Sequence, residues 1–231
     1  HVSRVQSMGM KYMLWYSVPF IGKASEAWPQ FANKLLGFNE GFQAATLDPR
    51  FPDVREYLIR KYETAVTEWN LDGLKLDFVD YFRLAPDKEN ELGQGRDYDS
   101  IPVAVDRLLT DTAQRLRQLK PDIMIEFRQT YIGPLMRKYG NMFRVADCPN
   151  DLIMNRVNTI DLRMLSGHTA VHADMMMWHP AETPHGAALQ LIHTLFAVPQ
   201  ISMLLHQVPK SHLKMIRFWL SFWCENRDLL L

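Results

Sequence analysis

Cysteine is scarce in this sequence: Cys148 and Cys224 are the two in 231 residues. They show neither metal-ligand spacing nor a paired framework, so structural zinc and a disulfide-stapled scaffold are both disfavoured, and the redox compartment stays open. Net charge is also lacking, since 26 Lys and Arg balance 26 Asp and Glu. No polybasic surface for nucleic acid or anionic membrane is therefore expected. No apolar run reaches the length of a membrane span. A glycine-rich GxGxxG turn is missing, which argues against a dinucleotide-binding sheet. Ser202 lacks a Gly-x-Ser-x-Gly context, which argues against a serine hydrolase. There is no repeat of solenoid length and no shift of composition marking a domain boundary, so residues 1–231 read as a single domain. A signal peptide and an initiator Met are missing too. His1 opens inside a helix-like pattern (Val2, Val5, Met8), which predicts a segment excised from something longer. Compartment and oligomeric state stay open.

What is present is ordinary globular material, 47% hydrophobic and 23% charged, laid out as alternating strands and helices. Strands are predicted over Lys11–Ser17, Leu74–Val79, Ile123–Phe127, Met142–Asp147, Thr169–Asp174 and Pro199–Leu204, with a short extended piece at Ala44–Leu47. Helices are predicted over Ser25–Leu36, Pro52–Trp69, Pro102–Leu119, Asp151–Leu165, Thr183–Phe196 and Ser211–Asp228, with Ser211 as the last cap. Residues 83–100 read as a long exposed loop. Such alternation implies βαβ units and a parallel sheet. An open doubly wound sheet and a closed (β/α)8 barrel both fit. Trp15, Asp77, Arg128, Asp147, His172 and Asp174 fall at or just past the C-terminal ends of different strands, which favours the barrel.

The stretch Leu74–Val79 is the most informative. Leu74, Leu76 and Phe78 alternate with Lys75, Asp77 and Val79, so Lys75 and Asp77 share one face of a strand. A lysine and a carboxylate inside an apolar strand are either a structural ion pair or a working site. Asp77 and Asp147, at two strand ends, are the minimum kit for glycoside hydrolysis. One carboxylate attacks the anomeric carbon, and the other protonates the leaving oxygen and later activates water. A separation of about 5–5.5 Å gives retention, and about 6.5–9.5 Å gives inversion. Lys75 would keep Asp77 ionised, and the apolar Val145-Ala146 would favour the protonated form of Asp147. Trp15 offers an aromatic wall for a sugar face. The plainer alternative is that strand-end acids cap the helices that follow. A metal site of His172, Asp174 and Asp77 is a weaker reading, because no clear ligand set accompanies it. His179, His185, His193 and His206 read as loop or helix-surface residues, and Met175-Met176-Met177 as packing or a pocket rim.

In the order and spacing of its motifs the chain resembles the catalytic barrel of the glycoside hydrolase family 36 α-galactosidases, from the third strand to the last helix. Leu14-Trp15-Tyr16 resembles that family's Leu-Trp-Phe. Leu47-Asp48, Pro52 and Val54 resemble its Leu-Asp…Pro-x-Val. Leu74-Lys75-Leu76-Asp77 resembles its Leu-Lys-Trp-Asp, whose aspartate is the nucleophile and whose lysine contacts sugar hydroxyls. Glu126 opens the segment in the place of Glu-Ser-Cys-Ser-Ser-Gly-Gly. Ala146-Asp147 with Asp151 and Arg156 resembles Ser-Asp-Asn-Thr-Asp…Arg, whose first aspartate is the acid/base. Val171-His172-Ala173 resembles the His-Val-Ser strand, and Asn226-Arg227 fits the closing helix.

The resemblance implies a (β/α)8 barrel truncated by its first two βα units, and a retaining hydrolase of terminal α-galactosyl residues. Asp77 and Asp147 would be catalytic. Trp15, Lys75, Arg128, Glu126, Asp151 and His172 would bind a carbohydrate substrate, with no cofactor or metal needed. The sequence departs from the family pattern in three ways. The strands carrying an acidic Asp-Asp-Gly pair are missing, Phe127-Arg128-Gln129-Thr130-Tyr131 replaces the Cys-x-x-Gly portion, and Asp151 stands one residue further from Asp147. These departures keep three alternatives in view: a non-catalytic carbohydrate-binding remnant, an α-N-acetylgalactosaminidase and a galactosyl transferase.

Overall fold

A computed structural model describes residues 1–86, 89–128, 130–148 and 150–231. Asp87 and Lys88 of the expected loop, Gln129 of the segment after Glu126, and Pro149 lie outside the described residues. The chain divides into two compact units, residues 1–126 with 138–140, and residues 127–137 with 141–231.

In the first unit a short helix α1 (Val2–Gln6) precedes strand β1 (Met13–Ser17). A small antiparallel sheet follows, formed by β2 (Phe20–Gly22), β3 (Leu35–Asn39) and β4 (Ala44–Leu47) in the order β2-β4-β3. Ala44–Leu47 is extended, as expected. The helix expected over 25–36 is reduced to one turn, α2 (Trp28–Phe31). Its C-terminal part instead becomes β3, because Leu35–Asn39 finds the edge of β4, pairing Leu35 with Leu47 and Phe38 with Ala45. Strand pairing of this kind overrides local propensity.

Helix α3 (Pro52–Glu68) begins on Pro52 and buries Val54, Leu58, Ile59, Tyr62, Ala65 and Val66 along one stripe. Trp69, expected on that stripe, is the C-cap and half exposed. Helix α4 (Ile101–Leu119) buries Ala104, Leu108, Leu109, Ala113 and Leu116. It packs on α3, where Arg115 joins Glu56 at 2.6 Å and Glu63. Between them runs β5 (Gly73–Asp77), paired in parallel with β1 and with β6 (Met124–Arg128). A Cβ on residue 73 would stand 2.7 Å from Met124, so only glycine lets these strands close.

Among the described residues, the loop between 83 and 100 holds no helix or strand, yet it is pinned. Arg50 reaches the Glu91 carbonyl at 3.0 Å, Arg96 reaches Asp48 at 3.0 Å, and Arg55 reaches Asp97 at 2.9 Å. Asp48 and Arg50 are almost completely buried. Burial opposes the charge of Asp48, but hydrogen bonds from Arg50 and Arg96 outweigh it and hold the carboxyl below its ordinary range.

In the second unit β7 (Met142–Arg144) pairs in parallel with β8 (Ala170–His172), setting Arg144 level with His172. Helix α5 (Leu152–Ser166) is capped by Asp151, whose Oδ1 accepts from the Met154 amide at 2.9 Å. Helix α6 (Pro184–His193) is capped by Thr183, and α7 (Lys210–Leu230) follows. The cap of α7 is Pro209 with no side-chain bond, so Ser211 lies inside the helix rather than capping it. The expected strand 199–204 appears as isolated parallel bridges, His172 to Val198 and Met176 to Ile201. Pro199 has no N–H to give to a ladder there. Met176, Trp178, Ala187, Leu191 and Ile216 form this unit's apolar cluster.

Strands β1, β5 and β6 pair in parallel in the first unit, and β7 and β8 in the second, as the alternation predicted. Among the described residues no helix is long and apolar enough to cross a membrane.

Candidate active site

Register explains how the first cluster is built. Trp15 on β1 is level with Lys75 on β5, and Lys75 is level with Glu126 on β6. Residues paired across parallel strands share a face, and Asp77, two positions on from Lys75, returns to that same face. Leu74 and Leu76, on the opposite face, are fully buried. The cluster is therefore a consequence of period-two geometry in three adjacent strands.

Asp77 closes β5 and is 4% exposed. Its Oδ2 accepts from the Trp15 indole N–H at 3.0 Å, and its Oδ1 from the Phe78 amide at 2.8 Å. Lys75 Nζ stands 3.8 Å from Asp77 Oδ2 and 3.8 Å from Glu126 Oε1, so one cation serves two buried carboxylates. The strand stops because Phe78 turns into the left-handed region at φ 63°. That conformation costs a bulky residue about 1–2 kcal/mol. It presents the Phe78 amide to Asp77 and brings the ring against Trp15, Phe20, Phe42 and Tyr81, with centroids 5.4–5.8 Å away. Trp15 remains half exposed beside the carboxylate it binds.

The second unit carries its own cluster. Arg128, at the end of β6, donates to Asp147 Oδ2 at 2.8 Å. Arg144, at the end of β7, donates to Asp147 Oδ1 and to Asp174 Oδ1. Asp174 is fully buried, and its Oδ2 accepts from the Cys148 amide. Asn155 clasps the Asp174 backbone on both sides, accepting from its N–H at 3.1 Å and donating to its C=O at 3.3 Å. The Cys148 thiol is pushed up to about 11, first by burial and then by the Asp174 charge. His172 Nδ1 lies 3.2 Å from the Ala173 carbonyl and 3.2 Å from Gln200 Oε1. Both partners are acceptors, which assigns the proton to Nδ1.

Two expectations change here. Asp147 was expected among apolar neighbours, but its carboxyl faces two guanidiniums, because Val145 and Ala146 direct the chain without surrounding the side chain. Asp174 was a candidate metal ligand, but it is sealed in the interior with Arg144 and Cys148 as partners. Among the described residues no group of three or more His, Cys, Asp or Glu is placed to hold a metal. Arg144 was missed; the available signal was a lone charge between Phe143 and Val145.

The class of fold is α/β with a parallel sheet, and charged groups collect at the C-terminal ends of its strands. No protein-family model matches the sequence, and no curated protein matches it. Solved structures do. An α-galactosidase from Lactobacillus brevis superposes with a TM-score of 0.74 at 18% identity, over 99% of this chain and 32% of its own. The GH36 α-galactosidase AgaA from Geobacillus stearothermophilus gives 0.79 at 14% identity, over 99% and 33%. An α-galactosidase from Thermus thermophilus, in complex with p-nitrophenyl α-D-galactopyranoside, gives 0.68 at 15% identity, over 95% and 49%. The chain thus has the fold of the matched part of these enzymes and spans a third to a half of their length.

Proposed function

We propose that the chain is part of a retaining glycoside hydrolase that removes terminal α-galactosyl residues, built on a (β/α)8 barrel. Asp77 is the nucleophile and Asp147 the general acid/base. The single observation that carries the reading is the state of Asp77. It is a buried carboxylate at the C-terminal end of a parallel strand, where barrel enzymes keep their chemistry. N–H donors hold both of its oxygens, and an exposed indole lies alongside. Attack on the anomeric carbon forms a glycosyl ester while Asp147 gives its proton to the leaving oxygen. Water, deprotonated by Asp147, then releases the sugar. Lys75, shared between Asp77 and Glu126, meets sugar hydroxyls as a donor, and Trp15 covers a sugar face. Arg128, Asp151 and His172 complete the proposed contacts, and the carbohydrate is the only partner that this chemistry calls for.

The test is Asp77→Gly in the full-length protein, assayed on an aryl α-galactoside with and without azide. Turnover should fall at least about a thousandfold, and azide should restore aglycone release with formation of β-galactosyl azide. Near-wild-type turnover by Asp77→Gly removes the assignment. A second reading, a carbohydrate-binding domain without chemistry, draws on the two arginines that hold Asp147. It requires sugar binding with no covalent trapping by a fluoro-sugar.

A further inference from the structure

Each oxygen of Asp147 accepts from an arginine. Oδ2 meets Arg128, and Oδ1 meets Arg144. Asp147 itself is open to solvent, with a side chain 54% exposed, whereas the side chain of Arg144 is 5% exposed and that of Asp174 is sealed. A carboxylate on an irregular segment, half in water, would sample several rotamers. Arg144 removes that freedom, because its own position is fixed from behind.

The fixing is complete down to the backbone. Asp174 takes Arg144 on Oδ1 and the Cys148 amide on Oδ2, and Asn155 of α5 holds the Asp174 N–H and C=O. Arg144 and Cys148 flank Asp147 in sequence, so one buried carboxylate grips the segment carrying Asp147 at both ends. Burying Asp174 and Arg144 is costly, and a buried pair is weak evidence of added stability. Arg144 Nε is buried with no hydrogen-bond partner among the described residues, a further cost. A network that accepts such costs while holding a solvent-open carboxylate has positioning as its clearest return.

We propose that Asp174 and Arg144 are positioning residues for Asp147: by holding Oδ1 they set the direction in which its carboxyl delivers and recovers the proton. The inference rests on the acid/base role proposed above. Both side chains are almost completely buried, so neither is placed to meet substrate.

Leaving-group dependence tests it, because loss of acid catalysis penalises poor leaving groups most. In the full-length protein, kcat/KM would be measured on p-nitrophenyl, phenyl and methyl α-galactosides for the wild type, Asp147→Ala, Asp174→Asn and Arg144→Lys. Arg144→Lys keeps a cation against Asp174 but loses the rigid guanidinium fork whose separate N–H arms orient Asp174 and Asp147. For both positioning variants, the loss on the phenyl and methyl substrates should exceed the loss on p-nitrophenyl by about ten- to hundredfold. The basic limb of the pH profile should shift with it. Equal losses on all three substrates, beside a graded loss in Asp147→Ala, overturn the proposal and leave the acid/base reading standing. An ungraded loss in Asp147→Ala overturns the acid/base reading itself, and the positioning role with it. If Asp174→Asn does not fold, Arg144→Lys carries the same comparison.

Discussion

Asp72 stands just before β5, on the same strand path as Asp77 but at its opposite end, and replacing it with asparagine should cost about 2 kcal/mol at neutral pH. Its Oδ2 accepts from Gln6 Nε2 at 2.8 Å and from the Tyr12 amide at 2.9 Å, and its Oδ1 from Lys120 Nζ at 3.1 Å. One carboxylate thus ties together α1, the approach to β1 and the end of α4. Burial works against its charge, but the three donors and the Lys120 charge prevail, bringing the carboxyl from 3.8 down to about 2. At about 1.4 kcal/mol per pH unit, that gap corresponds to about 2 kcal/mol. A carboxyl with a folded value below its unfolded one contributes fully above about pH 4 and loses that contribution as pH falls through about 2. Asparagine cannot ionise. The stability gap between wild type and Asp72→Asn should therefore be full at pH 7, narrow below pH 4 and nearly close at pH 2. Urea midpoints measured from pH 7 down to pH 2.5 report it. A gap of equal size at pH 7 and pH 2.5 would refute the reasoning and assign the effect to shape instead of charge.

Two further predictions concern the clusters themselves. Trp15→Phe keeps a ring beside Asp77 but removes the N–H on Oδ2, so kcat/KM on an aryl α-galactoside should drop about tenfold or more, the value of a hydrogen bond to a charged group; an unchanged kcat/KM would separate Trp15 from the chemistry. Cys148, raised to about 11 and buried, should resist alkylation at pH 8 in the native protein while exposed Cys224 reacts, as peptide mass mapping after iodoacetamide would report.

The parts legible in the sequence were those governed by local periodicity. Alternation over 74–77 put Lys75 and Asp77 on one face, and the 3.6-residue stripe from Val54 to Val66 gave α3 nearly to the residue. Strand partners are different, because register is a property of two segments. That Trp15, Lys75 and Glu126 form one row could not be read from any of the three strands alone. The same limit hid β3, whose glycine-interrupted residues read as a helix end and a loop until β4 supplied an edge. It also promoted 199–204 to a strand, where two isolated bridges suffice. At the candidate site the loss was sharper. Asp147 was judged by its sequence neighbours, although Arg128 and Arg144 decide its environment, and Arg144 in turn answers to Asp174, thirty residues away.

Position separates the buried acids of this chain. Asp48, Asp72 and Asp174 each accept a hydrogen bond directly from a cation and each joins separate segments, which is what a structural carboxylate does. Asp77 is as buried but closes β5 beside the half-exposed Trp15, its oxygens accepting from the Trp15 indole and the Phe78 amide, with Lys75 3.8 Å away. Asp77→Asn should accordingly behave as the reverse of Asp72→Asn. It removes a buried negative charge at the proposed catalytic site, so stability at pH 7 should hold or rise while turnover collapses. If Asp77→Asn unfolds the protein as readily as Asp72→Asn does, Asp77 belongs with the structural acids and the catalytic reading loses its foundation.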